Sequence, residues 1–201
     1  FPMIVLSASG WHNDLFLWSS PFEIEKIGHT VDDSAGESMD KVGRSLGLPF
    51  PAGKYIDELA QKYSPETHKN IPHFPLVLPE ESLNFSFSGL KSSALREIEI
   101  REKDHRELTE ADLIEIAYGY QKTIVTILSK RLIEAQKKLG TKSIALVGWV
   151  SANSALRSVL ETYSTENHIS YYTPKSFKYC GDNAAMIGMR AYWEYKKHLK
   201  L

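Results

Sequence analysis

Cysteine is almost missing from this 201-residue chain. The single Cys180 excludes a disulfide framework and any Cys-rich zinc module, and it fits a reducing compartment. Excess charge of one sign is missing as well: 24 Lys+Arg stand against 25 Asp+Glu, a formal net charge of −1. That balance excludes a supercharged nucleic-acid-coating protein and argues against strong autonomous binding to a polyanion, leaving room for a local basic patch. No run of about 18 or more uncharged apolar residues occurs, so no segment reads as membrane-spanning. Internal repeats and low-complexity tracts are absent. The histidines (His12, His29, His68, His73, His105, His168, His198) are scattered, with no His-x-x-x-His pair, so a complete helical metal site is not expected. The chain opens on Phe1 in an apolar run, without Met, a basic start or a small-residue cleavage site, and so reads as an excised domain rather than a signal peptide.

What is present is globular in proportion, 42% apolar and 24% charged, enough for a sizeable core in one domain at this length. Met3–Leu6, Asp14–Trp18 and Phe22–Ile27 predict three closely joined strands, an antiparallel meander, the third alternating with period two. Ser34-x-x-Glu37 is a capping-box pattern opening a helix whose inner face is Ala35, Met39, Val42 and Leu46, with Gly47 as its stop. Prolines break residues 48–110 into an irregular insert, with short helices at Tyr55–Tyr63 and about Leu90–Ile98, and a charge-dense, solvated stretch at 99–110. Thr109 caps the clearest helix, Glu110–Leu139, and Gly140 ends it. Strand Ser143–Val147, helix Ala152–Thr162, strand His168–Tyr172 and an amphipathic helix Asn183–Leu199 follow. A meander followed by alternating units predicts an α/β fold: a mixed five-stranded sheet with helices on both faces. The order matches one lobe of the actin/Hsp70/sugar-kinase ATPase architecture, a likeness of fold alone.

Several segments could carry chemistry. Ser9-Gly10-Trp11-His12 is either a plain hairpin turn or a place where backbone amides approach a phosphate. The stretch from Val147 to Asn153 joins a strand to a helix, where α/β sheets place anions, or is a plain loop capped by Ser151 or Asn153. Asp182 is a helix N-cap or a carboxylate metal ligand. Asp33, Glu37 and Asp40 share a helical edge, with Lys41 and Arg44 as the ordinary salt-bridge partners. Asn84–Lys91 reads as a strand or loop feeding a helix. His12 and Cys180 stand alone, with no Ser/His/Asp or Cys/His arrangement around them.

Taken together, these segments resemble the C-terminal part of the TsaD family, the tRNA N6-adenosine threonylcarbamoyltransferases formerly called glycoproteases. The matching stretches are 9–12, 32–41 (Asp-Asp-Ser-Ala-Gly-Glu-Ser-Met-Asp-Lys), 46–49, 85–91 (Phe-Ser-Phe-Ser-Gly-Leu-Lys), 151–157 and 182–186, in family order across nearly the whole chain. The resemblance implies one lobe of a two-lobed actin-like fold in a cytoplasmic enzyme. The family transfers a threonylcarbamoyl group from threonylcarbamoyl-adenylate (threonylcarbamoyl-AMP, made with ATP) to N6 of an adenosine in tRNAs that read codons beginning with A. By that match Ser7, Ala8, Ser9, Gly10 and Trp11 form the first nucleotide loop. Asp40 and Gly53 contact the ribose and adenylate side, and Asn153 contacts it from a second loop. Asp182 is one ligand of an iron or zinc ion, and TsaB- and TsaE-type subunits are partners.

The chain departs from the family pattern in two ways. The N-terminal His-x-x-x-His metal motif is absent, so a metallopeptidase reading ranks low. Gly10-Trp11 and Gly148-Trp149 stand where the family has Gly-Gly. An indole at a phosphate loop, strained if its φ is positive, predicts that both loops are blocked. The alternative is that the indoles point outward or stack on a base. The leading expectation is a fragment of the transferase, inactive alone. The competing one is a non-enzymatic actin-like module that pairs with itself or a partner, with Trp11 and Trp149 at the interface.

Overall fold

The architecture is given by a computed structural model describing residues 1–79, 82–105 and 107–199, apart from the side chains of 104 and 105. Strands β1 (Met3–Ala8), β2 (Asn13–Ser20) and β3 (Glu23–His29) form the antiparallel meander. Helices α1 (Ala35–Ser45), α2 (Gly53–Gln61), α3 (Ser88–His105) and α4 (Glu110–Leu139) follow. Then come β4 (Ser143–Val147), a short 3-10 helix at Trp149–Ala152, α5 (Ser154–Glu166), β5 (Ser170–Tyr172) and α6 (Ala184–His198). The sheet order is β3-β2-β1-β4-β5, with β4 parallel to both β1 and β5. This is the mixed five-stranded α/β sheet that the element order predicts. Among the described residues no helix is long and apolar enough to cross a membrane.

Period-two burial puts the core on one face of the sheet. Ile4, Leu6, Ala8, Leu15, Ile144 and Leu146 are fully buried against α1, α4 and α5 through Met39, Val42, Tyr120, Ile124, Leu128 and Leu156. On the other face, Phe16 and Trp18 are only half-buried. The predicted face of α1 is buried as expected, and its N-cap is Ser34, whose side chain accepts the Glu37 amide. Thr109 and Asp112 form a reciprocal capping box on α4, and Gly140 at φ 64° closes that helix.

Four expectations need correction. β3 alternates in sequence but is mostly exposed, because it is an edge strand with register irregularities against β2. Helix α5 begins two residues later than predicted, because Trp149–Ala152 winds as a 3-10 turn before Asn153 caps it. The stretch 99–110, one residue of which lies outside the described ones, is not simply a solvated surface. Helix α3 continues into it, and Arg101 is buried there, bridging Asp112 and Glu115 at 2.8 Å each and Glu97 at 2.8 Å. Finally, α6, expected as an amphipathic helix with one buried face, has no buried residue.

Candidate functional site

β1 ends at Ala8, and the chain reverses through Ser9–His12. The Ser9 amide donates to the His12 carbonyl at 2.9 Å, and Ser9 Oγ accepts the Trp11 and His12 amides at 3.3 and 3.0 Å. This turn rests on the start of α1. Ser34 Oγ donates to the Gly10 carbonyl at 2.6 Å, and Asn13 Oδ1 accepts the Ala35 amide at 2.6 Å. Gly36 is required by this contact, since a Cβ there would stand 2.6 Å from Gly10 Cα.

The loop after β4 is pressed onto the same place. Gly148 has φ 90°, and a Cβ on it would lie 2.3 Å from the Ala8 carbonyl oxygen. The positive φ therefore falls on Gly148 and not on the tryptophan after it. Among described non-glycine residues only His168 has a positive φ. The backbone strain expected at Trp11 and Trp149 is absent: Trp11 is 76% exposed, and the Trp149 indole lies over Gly181 and meets Phe177 edge-on at 5.1 Å. Beneath these loops Asn13 Nδ2 and Ser151 Oγ are buried without a hydrogen-bond partner among the described residues.

Asp40 and Gly53 meet where α1 passes the start of α2. Asp40 Oδ1 accepts the Ala52 amide at 2.7 Å, and Gly53 packs beside Met39. Burial raises the Asp40 carboxyl above its ordinary value, and the Ala52 amide and the Arg44 charge offset part of that rise. Asn153, one of the two predicted caps, is the N-cap of α5. Its Oδ1 accepts the Leu156 amide at 2.9 Å, while Nδ2 donates to Gln121 Oε1 at 2.8 Å and to Asp57 Oδ1 at 3.4 Å.

Asp57 was not anticipated from the sequence. It also accepts from the Ser154 amide and hydroxyl at 3.2 and 2.8 Å, from Gln121 Nε2 at 3.0 Å and from Gln61 Nε2 at 3.1 Å. The available signal is its place four residues after Gly53, one helical turn along the same face of α2.

The 32–41 and 85–91 segments also meet. Asp32 accepts the Phe87 amide at 2.8 Å and the Ser86 hydroxyl at 2.5 Å, which caps α3. Asp33 pairs with Lys41 at 2.9 Å and with Lys91, and Lys41 also pairs with Glu37 at 2.8 Å. Burial works to raise the Asp33 pKa, but hydrogen bonds and charge from Lys91 and Lys41 outweigh it, and the carboxyl sits below its ordinary value.

Asp182 is not joined to this group by any comparable contact. It is exposed, and the cap of α6 is Asn183, whose Oδ1 accepts the Met186 amide at 3.1 Å. No group of three or more His, Cys, Asp or Glu side chains among the described residues is arranged to hold a metal ion. The described residues therefore do not by themselves fit an iron or zinc ion. Two shallow hollows, one along α5 (Ser158, Glu161, Thr162, Thr165, Glu166) and one beside Arg101 and Asn70, contain no predicted site residue. Cys180 is buried, with Arg157 Nη2 3.8 Å from its sulfur.

A mixed sheet of this order, with glycine loops at the ends of its two central strands, defines an α/β lobe of the actin-like ATPase type. The chain belongs to the TsaD family, tRNA N6-adenosine threonylcarbamoyltransferase, whose family model matches residues 1–189. A tRNA N6-adenosine threonylcarbamoyltransferase of Thermosipho africanus is 42% identical over 196 residues, 98% of this chain and 57% of that protein. One from Christiangramia forsetii is 39% identical over 197 residues, 98% of this chain and 56% of that protein. The chain thus spans little more than half the length of these curated relatives. The crystal structure of T. kodakarensis HypF has a TM-score of 0.54 and 19% identity, covering 87% of this chain and 21% of that one, a likeness of fold alone.

Proposed function

We propose that this chain supplies the adenylate-binding wall of a tRNA threonylcarbamoyl transferase. The observation that carries this reading is the convergence of the β1–β2 turn, the Asp40–Ala52–Gly53 junction and the Asn153 cap. Tight contacts link the first to α1 and to the 148–153 loop, and the last to Asp57 of α2, while two unsatisfied buried polar atoms lie beneath the loops. The Ser9–Trp11 turn, next to Ser7 and Ala8, faces the phosphate of threonylcarbamoyl-AMP or ATP, with the Gly10 amide as its donor, since the Ser9 and Trp11 amides are already bonded within the turn. Asp40 holds the first turn of α2, with Gly53, toward the ribose. Asn153 and Asp57 fix the second loop against α2 and so set the width of the cleft.

Asp182 would serve as one carboxylate ligand to an iron or zinc ion whose other ligands lie outside the described residues, and such an ion would add Lewis-acid chemistry; the described residues themselves bind and orient the nucleotide. tRNA and TsaB- and TsaE-type subunits are the proposed partners, and the cytoplasm the proposed location. A second reading, a non-enzymatic interaction module, is favoured by the exposed Trp11 and Trp149.

Calorimetric titration with ATP and with a stable threonylcarbamoyl-adenylate analogue separates the two. Saturable binding weakened about tenfold or more by Asp40→Ala supports the adenylate wall. A folded chain that binds neither ligand refutes it and favours the module.

A further inference from the structure

Gln121 of α4 is a buried polar side chain, 4% exposed, and both ends of its amide are bonded to other elements. Oε1 accepts from Asn153 Nδ2 at 2.8 Å, and Nε2 donates to Asp57 Oδ1 at 3.0 Å. Asn153 caps α5 and Asp57 lies on α2, 32 and 64 residues away in the chain. The orientation of both amides is dictated by fixed groups at the two ends of this relay. The Leu156 backbone N–H can only donate, so it meets Asn153 Oδ1, and Nδ2 is turned to Gln121. The Asp57 carboxylate can only accept, so it takes Gln121 Nε2, and Oε1 is turned to Asn153. Reversing either amide would set donor against donor on one side and acceptor against acceptor on the other. A helix cap alone asks less of position 153. One side-chain oxygen on the Leu156 amide is enough, and Ser or Asp supplies it as well as Asn does. Asn adds a donor, and that donor goes to Gln121, which is buried to receive it.

We propose that Gln121 is a positioning residue of the nucleotide site: by tying Asn153 to Asp57 it holds the Asn153 amide in one orientation and the second loop at one distance from α2. It acts through Asn153 and does not touch the ligand. The proposal rests on the adenylate-binding wall, with Asn153 as the contact from the second loop. An amide suits this place because it is neutral and can accept at one atom while it donates at the other. A carboxylate would meet Asp57 with like charge, and an ammonium could not accept from Asn153. Among the described residues Asp57 is the titratable group bonded to Gln121. The charges on neighbouring turns are engaged elsewhere. Lys122 lies over the Tyr118 ring at 5.9 Å, Glu58 of α2 pairs with Lys54 at 3.5 Å, and Arg157 of α5 donates to the Ser151 and Pro174 carbonyls.

The test is calorimetric titration of ATP into the parent chain and two near-isosteric variants, with circular dichroism and a thermal midpoint on each. Gln121→Met fills the same space and makes neither bond, and its ATP affinity should fall about tenfold relative to the parent whatever the pH. Gln121→Glu still accepts from Asn153 but sets a second negative charge against Asp57. Its affinity relative to the parent should be about tenfold lower at about pH 8 and return toward the parent at about pH 5.5. There the introduced carboxyl, kept protonated by burial and by the Asp57 charge, donates to Asp57 as the amide does. The ratio to the parent at each pH removes the titration of the ATP phosphates. Either variant decides the matter if the other does not fold. A lower thermal midpoint with unchanged ATP affinity in the folded variants is the result of a merely structural side chain, and it overturns the proposal. A loss in Gln121→Glu that is equal at both pH values overturns it as well. A folded parent chain that binds no nucleotide overturns the adenylate wall and this proposal together, whereas a binding parent with unaffected variants overturns this one alone.

Discussion

Gly148 and Ala8 are in such close register that a single added methyl on Gly148 would penetrate to 2.3 Å of the Ala8 carbonyl oxygen. The ends of the two central parallel strands are therefore fixed against each other by backbone, not by side chains. Gly148→Ala should destabilise the chain by about 2–3 kcal/mol, since it combines a left-handed φ with a backbone clash. A chemical denaturation midpoint within error of the parent chain would contradict this.

Asp57 and Asn153 lie 96 residues apart in sequence and share one hydrogen-bond network. Asp57→Ala leaves the Ser154 amide and the Gln121 and Asn153 side chains short of an acceptor, and should cost about 1–3 kcal/mol. Hydrogen exchange at the Ser154 amide should accelerate in this variant, while exchange in β1 and β4 keeps its order of protection. Unchanged protection at Ser154 would show that Asp57 does not hold this loop.

Trp11 is exposed and its backbone is unstrained, so Trp11→Ala should leave stability within about 0.5 kcal/mol. Nucleotide affinity should stay level or fall slightly, as for an indole directed outward. A gain of tenfold or more on truncation would mean that the indole fills the phosphate position.

Arg101 holds the insert to α4 by pairing with Glu97, Asp112 and Glu115 and by donating to the Asn70 carbonyl. Arg101→Ala removes the cation and leaves two buried carboxylates facing each other, and should cost about 3–5 kcal/mol. A guanidinium chloride titration measures it; a loss below 1 kcal/mol would mean that solvent screens the cluster.

The acid limb of stability follows from Asp112 of this cluster and from Asp33, paired elsewhere with Lys41 and Lys91. Burial works to raise the Asp112 pKa, but hydrogen bonds from Thr109 and Arg101 outweigh it and hold the carboxyl below its ordinary value. Asp33 is lowered by Lys91 and Lys41 against the same effect of burial. For both, the unfolded chain binds the proton more tightly. Their stabilising contribution is complete above the unfolded pKa and is lost as pH falls through the lower folded value. Asp40, raised mainly by burial, acts with the opposite sign, its contribution fading as pH rises through its folded pKa. Denaturation midpoints taken downward from neutral pH should fall steeply below about pH 4, and less steeply in Asp112→Asn. An equal slope in both chains would remove Asp112 from this account.

Much of the fold is legible in the sequence because its signals are local. The Ser34 and Thr109 caps act over three residues, the α1 stripe repeats within eleven, and Gly140 sits in the left-handed position its place implies. The site is only half legible. Asn153 could be placed at a helix start, but its tie to Gln121 and Asp57 could not, because nothing near Asn153 in the chain encodes those partners. Arg101 lies within a charge-dense stretch that reads as surface, and only the approach of α4 buries it.

Periodicity, capping residues and the ordered family segments thus set the strands, the helices and the TsaD membership without reference to coordinates. Packing alone decided which polar groups meet, which way the two indoles face, and that α6 is left uncovered. Hydrogen bonds and burial between residues distant in the chain depend on how layers are stacked, and a pattern spanning a few residues carries no information about its distant neighbours.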